Sequence, residues 1–315
     1  MINSIATYGG GSWGTALACQ VARCYDKATI FIRDEQIVNE ILTHRTNNKY
    51  LGNILLPDNL YPSSTLANIL DKEVIIIAVP SSAFISVLNI LKNAGLSQNT
   101  VLLIATKGLA SNPTELLSDR TKSILPNNPI AFIYGPNIAK EVVRNLFTPA
   151  TIACQDISIA SKLADSLTSL HFTLNVTNDI VTLQVAGTIK NIIAIKSGLY
   201  DANGYGENAK AWLITQAVQE ISILATALKG GQLDDRVLLE AGVLGDLILT
   251  CYSKNSRNTK FGYELGMQEN KSKFLTDTSY LVEGRESARL IIDLIKKYKL
   301  QMPVVLSVIK ELGLD

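Results

Sequence analysis

Gly9-Gly10-Gly11-Ser12-Trp13-Gly14-Thr15-Ala16-Leu17-Ala18 is the stretch on which the reading of this 315-residue chain turns. Before it, Ser4-Ile5-Ala6-Thr7-Tyr8 is short, partly β-branched and closed by an aromatic, which predicts a strand. After it, Thr15 to Cys24 is dense in Ala and Leu and free of Gly and Pro, which predicts a helix. Gly9, Gly11 and Gly14 therefore form G-x-G-x-x-G at a strand-to-helix junction. In such a junction the first glycine permits the tight turn, the second lets a pyrophosphate approach the backbone, and the third packs helix on strand. The helix start then offers unpaired N–H groups and a partial positive charge to the phosphates.

A second strand, Ala28 to Ile32, ends in Arg33-Asp34 about 20 residues past the loop, where a ribose-reading side chain is expected. A carboxylate there favours NAD and an arginine favours the 2′-phosphate of NADP. Having both leaves the choice open, with the reading leaning to NADPH and tolerance of NADH.

The length predicts two domains. An apolar fraction of 47% and a charged fraction of 18% describe a globular, enzyme-like protein. A formal charge of +1 supplies no bulk attraction to nucleic acid or anionic lipid. Cys19, Cys24, Cys154 and Cys251 are scattered without C-x-x-C spacing, which fits reduced thiols of a cytoplasmic protein better than disulfides. With His44 and His171 the only histidines, no metal centre is expected. The uncharged stretches 1–22 and 74–91 are broken by Gly, Pro, Ser or Asn, so neither reads as a membrane span.

Apolar runs at 73–80, 100–105 and 130–134, with shorter ones at 150–154 and 172–176, predict further strands of a mostly parallel, covered sheet. The segment 45–64 reads as a polar, Pro-containing connection. Lys107 leaves a strand at its carboxyl end, where ligands gather in open parallel sheets. From about Asn178 the pattern becomes purely helical, with helices expected at 179–200, 207–229, 236–251 and 287–298 and one more starting near Pro303. The fold class is thus α/β, a Rossmann-like N-terminal domain over 1–180 followed by an all-α domain over 181–315.

Lys190 stands among β-branched aliphatics in Gly187-Thr188-Ile189-Lys190-Asn191-Ile192-Ile193. Burial disfavours its charged form and a carboxylate restores it, the setting a proton donor for carbonyl reduction needs. Asp246, inside Gly245-Asp246-Leu247-Ile248-Leu249, is the candidate partner, since an unpaired charge there would be costly. The stretch Lys254 to Gly262 mixes cations with short hydroxyl and amide side chains between predicted helices. That mixture suits a phosphate as well as a solvated turn.

GGGSWGTALA, IIIAVPSS, ATKGL, GPNIAKE, AGTIKNIIAI, GLYDANGYGENAKAWLITQAVQEI, GVLGDLILTC, SRNTKFG and VEG, in this order along nearly the whole chain, resemble the NAD(P)-dependent glycerol-3-phosphate dehydrogenases of the bacterial type. The resemblance implies reversible reduction of dihydroxyacetone phosphate to sn-glycerol 3-phosphate, a phospholipid precursor, by a cytoplasmic homodimer. It implies Lys190 as proton donor and acceptor, oriented by Asp246, with Lys107 touching substrate and lying near the nicotinamide. It assigns Gly135, Asn137, Ser256, Arg257 and Asn258 to the substrate. The cofactor contacts implied are Ser12, Trp13, Arg33, Ala139, Arg257, Leu281 and Glu283. Position 137 is usually Ser or Thr in bacterial members and is Asn here. Two alternatives stand beside this reading. One is a related two-domain 2-hydroxyacid or ketopantoate reductase, whose carboxylate substrates need no phosphate anchor, and the other is an NAD(P)H-binding redox sensor without turnover.

Overall fold

The computed structural model describes residues 2–276 and 282–314. It divides into two compact units, one of residues 1–106 and 118–180, the other of residues 107–117 and 181–315. Residues 107–117, expected in the N-terminal half, therefore belong with the helical unit.

The first unit is built on eight strands, β1 (Ile5–Tyr8), β2 (Ala28–Phe31), β3 (Leu60–Ser63), β4 (Val74–Ile77), β5 (Val101–Ile104), β6 (Ile130–Tyr134), β7 (Thr148–Cys154) and β8 (Phe172–Thr177). Their order in the sheet is β8-β7-β6-β5-β4-β1-β2-β3, parallel throughout except for the antiparallel β6–β7 pair. The helices are α1 (Ser12–Cys24), α2 (Glu35–His44), α3 (Asn48–Leu51), α4 (Ala67–Leu70), α5 (Ser81–Asn93), α6 (Leu117–Ile124), α7 (Ala139–Val143) and α8 (Ile157–Leu167). Ile75, Ile76 and Ile77 have no exposed surface, as the unbroken apolar run requires of a strand covered on both faces. β1 pairs with β2 on one side and β4 on the other, so strand order reverses at β1, and the glycine loop leaves its carboxyl end.

β3 lies within the segment read as a connection. It is the outermost strand, where Pro62 costs no ladder hydrogen bond, and its burial alternates along Leu60-Tyr61-Pro62-Ser63.

The second unit holds α9 (Ile180–Ala202), α10 (Gly206–Lys229), α11 (Asp246–Tyr252), α12 (Arg257–Gly266), α13 (Lys271–Thr276), α14 (Glu283–Tyr298) and α15 (Pro303–Glu311). It also contains a small antiparallel hairpin of Leu109–Ala110 and Glu115–Leu116. The helix expected over 236–251 is broken. A 3₁₀ turn at Asp235–Leu239 and a π turn at Ala241–Gly245 precede α11, a widening of the helix that recurs at functional sites. The stretch 254–262, expected between helices, mostly belongs to α12, whose cap is the Ser256 hydroxyl accepting from the Thr259 N–H at 3.2 Å.

α9 and α12 cross backbone to backbone. A Cβ at Gly198 would stand 1.9 Å from the Thr259 carbonyl oxygen, and one at Gly262 would stand 2.0 Å from that of Ile195. Only glycine allows this approach, which brings the start of α12 beside the lysine-bearing α9. α10 has the length and composition of a membrane-crossing helix, the one such helix among the described residues. It packs on α11 and α15 and carries a buried carboxylate, Glu220.

Glu220 caps another helix. α15 has Met302 at its cap position, which supplies no side-chain acceptor. The Glu220 carboxylate accepts instead from the N–H groups of Val304 at 2.6 Å and Val305 at 2.9 Å. Burial raises the Glu220 pKa against the lowering effect of these bonds. The folded state thus holds the proton longer than the unfolded chain, and this contribution to stability falls as pH rises through the interval between the two values. Glu220→Ala is expected to cost about 2 kcal/mol at neutral pH by stranding two N–H groups, and Glu220→Gln to flatten the pH dependence, both read from urea unfolding.

Candidate active site

At the glycine loop, Gly9 has φ +126, and a Cβ there would stand 2.3 Å from the Ala78 carbonyl oxygen. A Cβ at Gly14 would lie 1.9 Å from the Gly9 oxygen, so helix and turn touch directly. A Cβ at Gly11 would meet nothing within 4 Å; it would project into open space beside the helix start. Gly11 caps α1 without a side-chain acceptor, and the first turn holds no acidic residue. Backbone donors, a favourable dipole and room for close approach fit the pyrophosphate of NAD or NADP. Ser12 and Trp13 open α1, both half-buried.

Arg33 is exposed beyond β2. Asp34 caps α2, accepting from the Gln36 N–H at 3.1 Å, and faces Lys49 at 3.6 Å. The carboxylate expected to read a ribose is thus partly engaged in holding its own helix. Elsewhere in this unit Gly135 follows β6 so closely against β7 that a Cβ would lie 2.7 Å from the Pro149 oxygen. Asn137 donates to that oxygen at 2.9 Å, while its own Oδ1 is buried without a partner. Ala139 begins α7.

In the helical unit Lys107, Lys190 and Asp246 converge. Lys190 Nζ donates to Asp246 Oδ1 at 2.6 Å and to Thr250 Oγ1 at 3.1 Å. Lys107 Nζ donates to Asp246 Oδ2 at 2.5 Å. Asp246 is 2% exposed, so both carboxylate oxygens are committed away from solvent. Burial works to raise the Asp246 pKa, but the two ammonium groups outweigh it and hold the carboxyl below its ordinary value. Burial lowers Lys107 to about 8, against the pull of Asp246 and with the neighbouring Lys190 charge adding to the lowering. A lysine titrating there can carry charge at neutral pH and release a proton at modest cost.

A second network adjoins the first through Asn191, next to Lys190. Asn258 Nδ2 donates to Asn191 Oδ1 at 3.0 Å, and Asn258 Oδ1 accepts from the Gly284 N–H at 2.9 Å. Asn191 Nδ2 donates to Glu283 at 3.4 Å. Arg257, the first residue of α12, is exposed and lies 3.6 Å from the Glu283 carboxylate. Ser256 accepts from both the N–H and the hydroxyl of Thr259, so it organises the helix start. Leu281 lies outside the described residues.

Thr250 and Asn191 are site neighbours that the sequence reading passed over. Thr250 sits one turn after Asp246, and its hydroxyl also donates to the Asp246 carbonyl at 2.6 Å. The i, i+4 spacing was the available signal. Among the described residues there is no group of three or more His, Cys, Asp or Glu suited to a metal. The four cysteines are free, and burial pushes the Cys19 and Cys251 thiols up to about 12.

Comparison with known proteins bears on this site. Residues 4–160 match the family model of the NAD-dependent glycerol-3-phosphate dehydrogenase N-terminus, and residues 179–312 that of its C-terminus. The chain is 56% identical over 302 residues to glycerol-3-phosphate dehydrogenase [NAD(P)+] of Rickettsia typhi, covering 96% of this chain and 94% of that protein. It is 55% identical over 304 residues to the protein of the same name from Rickettsia bellii, covering 96% of each. The crystal structure of glycerol-3-phosphate dehydrogenase from Coxiella burnetii superimposes with a TM-score of 0.88 at 33% identity, covering 98% of this chain and 94% of that one.

Asp246→Asn leaves two buried ammonium groups facing an uncharged amide. The variant is expected to lose about 3 kcal/mol of stability at pH 7. Part of this loss should be recovered as pH rises, because without the carboxylate that holds it up to about 8 Lys107 sheds its proton at a lower pH than in the wild type. Urea unfolding across that range checks both.

Proposed function

The chain belongs to the NAD-dependent glycerol-3-phosphate dehydrogenase family, and on that premise we propose that it interconverts dihydroxyacetone phosphate and sn-glycerol 3-phosphate, providing the backbone for phospholipid synthesis. The observation that carries the proposal is the single buried carboxylate of Asp246 holding the ammonium groups of both Lys107 and Lys190. A carbonyl reductase needs such groups where negative charge develops on oxygen.

NAD(P)H, when bound, supplies the hydride that the ketone carbon gains. Lys190 gives a proton from Nζ to the ketone oxygen as the C=O bond becomes a C–O single bond, and takes it back in the reverse direction. Lys107, charged at neutral pH, polarises the same oxygen. Asp246 keeps both lysines aimed, and Thr250 fixes the Lys190 amine from a second side. Arg257 and Asn258 hold the phosphate, with Ser256 setting the helix start that presents them. Gly135 and Asn137 add substrate contacts, the unpaired Asn137 Oδ1 being ready to accept from a hydroxyl. Gly9, Gly11, Ser12, Trp13, Gly14, Arg33, Ala139, Leu281 and Glu283 serve the cofactor. Arg33 and the capping engagement of Asp34 support acceptance of NADPH beside NADH. A homodimer acting in the cytoplasm completes the proposal, carried by the family resemblance.

The depressed Lys107 favours a second assignment inside the same chemistry, with Lys107 rather than Lys190 handing over the proton. The ketopantoate-type reductase and the sensor without turnover are not favoured by the family match along the chain.

Loss of nicotinamide absorbance with dihydroxyacetone phosphate, and its failure with unphosphorylated dihydroxyacetone, tests the activity. Lys190→Ala is expected to lower kcat by about 10³-fold or more with cofactor affinity nearly unchanged. A variant that keeps its activity moves the proton to Lys107. Arg257→Ala should mainly raise KM for the phosphorylated substrate, by about 10-fold to 100-fold for a charge-assisted contact. For ketone reduction, kcat/KM should fall as pH rises through about 8 with the loss of the Lys107 charge, and Lys107→Met should lack that limb of the profile.

A further inference from the structure

The segment Arg45-Thr46-Asn47-Asn48 reaches the glycine loop. Asn47 has no exposed surface. Its Nδ2 donates to the Gly10 carbonyl at 3.0 Å and to Thr15 Oγ1 at 2.9 Å. Thr15 Oγ1 in turn donates to the same Gly10 carbonyl at 3.4 Å. Asn47 stands at the cap position of α3, where an asparagine oxygen ordinarily accepts from the helix. Here the side chain makes no cap bond. Its oxygen has no partner while its amide nitrogen serves the glycine loop.

The segment is itself held in place. One oxygen of Glu40, on α2, accepts from the Thr46 hydroxyl and from the Asn48 N–H, each at 2.7 Å. The Arg45 guanidinium donates to the carbonyls of Leu60, at 3.1 Å, and Pro57. Asn47 is thus clamped on both sides along the chain, and its amide is aimed across 37 positions of sequence at Gly10.

A peptide unit is planar and trans, so a carbonyl and the N–H that follows it point in opposite directions. Drawing the Gly10 carbonyl toward Asn47 turns the Gly11 N–H the other way. Gly11 is the cap of α1, and a Cβ there would meet nothing within 4 Å. We infer that Asn47 is a positioning residue for dinucleotide binding: by pinning the Gly10–Gly11 peptide it presets the Gly11 N–H and the start of α1 for the pyrophosphate. The inference rests on the reading of the glycine loop as a dinucleotide cradle. Its physical content is preorganisation, since a peptide free to rotate would have to be ordered by the nucleotide at a cost in affinity.

The test titrates NADH and NADPH into the purified full-length protein, following nicotinamide fluorescence, beside steady-state kinetics with dihydroxyacetone phosphate. Asn47→Ala is expected to raise Kd for both nucleotides about 10-fold, as loss of two hydrogen bonds to the loop implies. KM for dihydroxyacetone phosphate should move less than about 2-fold. Thr15→Val, which keeps shape and removes the shared hydroxyl, should raise Kd about 3-fold, and the double variant should be no worse than Asn47→Ala alone. Wild-type Kd values in these variants, whatever their thermal stability, overturn the assignment. Should Asn47→Ala fail to fold, an unchanged Kd in Thr15→Val overturns it equally. A wild-type protein that binds neither nucleotide overturns instead the reading of the loop.

Discussion

A buried carboxylate with a lysine ammonium on each oxygen is the constraint around which the helical unit is arranged. Asp246 could not remain charged at 2% exposure without those partners, nor could Lys190 be buried to 8% without a counter-charge. Three separate stretches must therefore meet: the hairpin segment after β5, the middle of α9 and the first turn of α11. Such an ion group adds little net stability over an apolar replacement, because desolvation offsets most of the attraction. Its value lies in placement. Two lysine side chains are held at fixed distances from one carboxylate, and Lys107, lowered to about 8, can still change state near physiological pH.

The surrounding backbone serves that placement. Glycines at 198 and 262 let α9 and α12 touch, so the capped start of α12 lies beside the lysine helix. Asn191 then links the amide of Asn258 with Glu283 at the start of α14. Lys190, Arg257 and Glu283 are far apart in sequence, yet a few short polar contacts join the elements that carry them. The π turn before α11 belongs to the same arrangement, since it ends where Asp246 begins the next helix.

In the α/β unit the comparable device is made of backbone. Gly9 and Gly14 let strand, turn and helix pack in contact, and Gly11 leaves open space beside the helix start, but room alone does not orient an N–H group. The clamp through Glu40, Thr46 and Asn47 acts on that orientation, from a segment whose composition suggests only a polar connection. Loops of this kind carry function because a scaffold fixes them, here α2 on one side and the edge strand β3 on the other.

Local pattern alone determined much of this protein. The glycine spacing after β1, the unbroken apolar run of β4 and the change to all-helical periodicity near residue 178 each follow from short-range chemistry, and the sheet and helix content followed from them. Lys190 and Asp246 were also legible, because a charge inside an apolar run must have a partner. Tertiary structure alone decided where partners lie. Lys107 reads as a strand-end lysine, yet it joins the helical unit through an eleven-residue excursion, 107–117. β3 was hidden because an edge strand needs neither an apolar run nor an intact ladder. The start of α12 was hidden because its polar first turn looks like a loop until Ser256 is seen capping it. Asn47 and Asn191 carry no signal of their own. An amide's role is set by what stands 3 Å away, and contacts across 37 or 67 residues of chain are written in the packing, not in the local sequence.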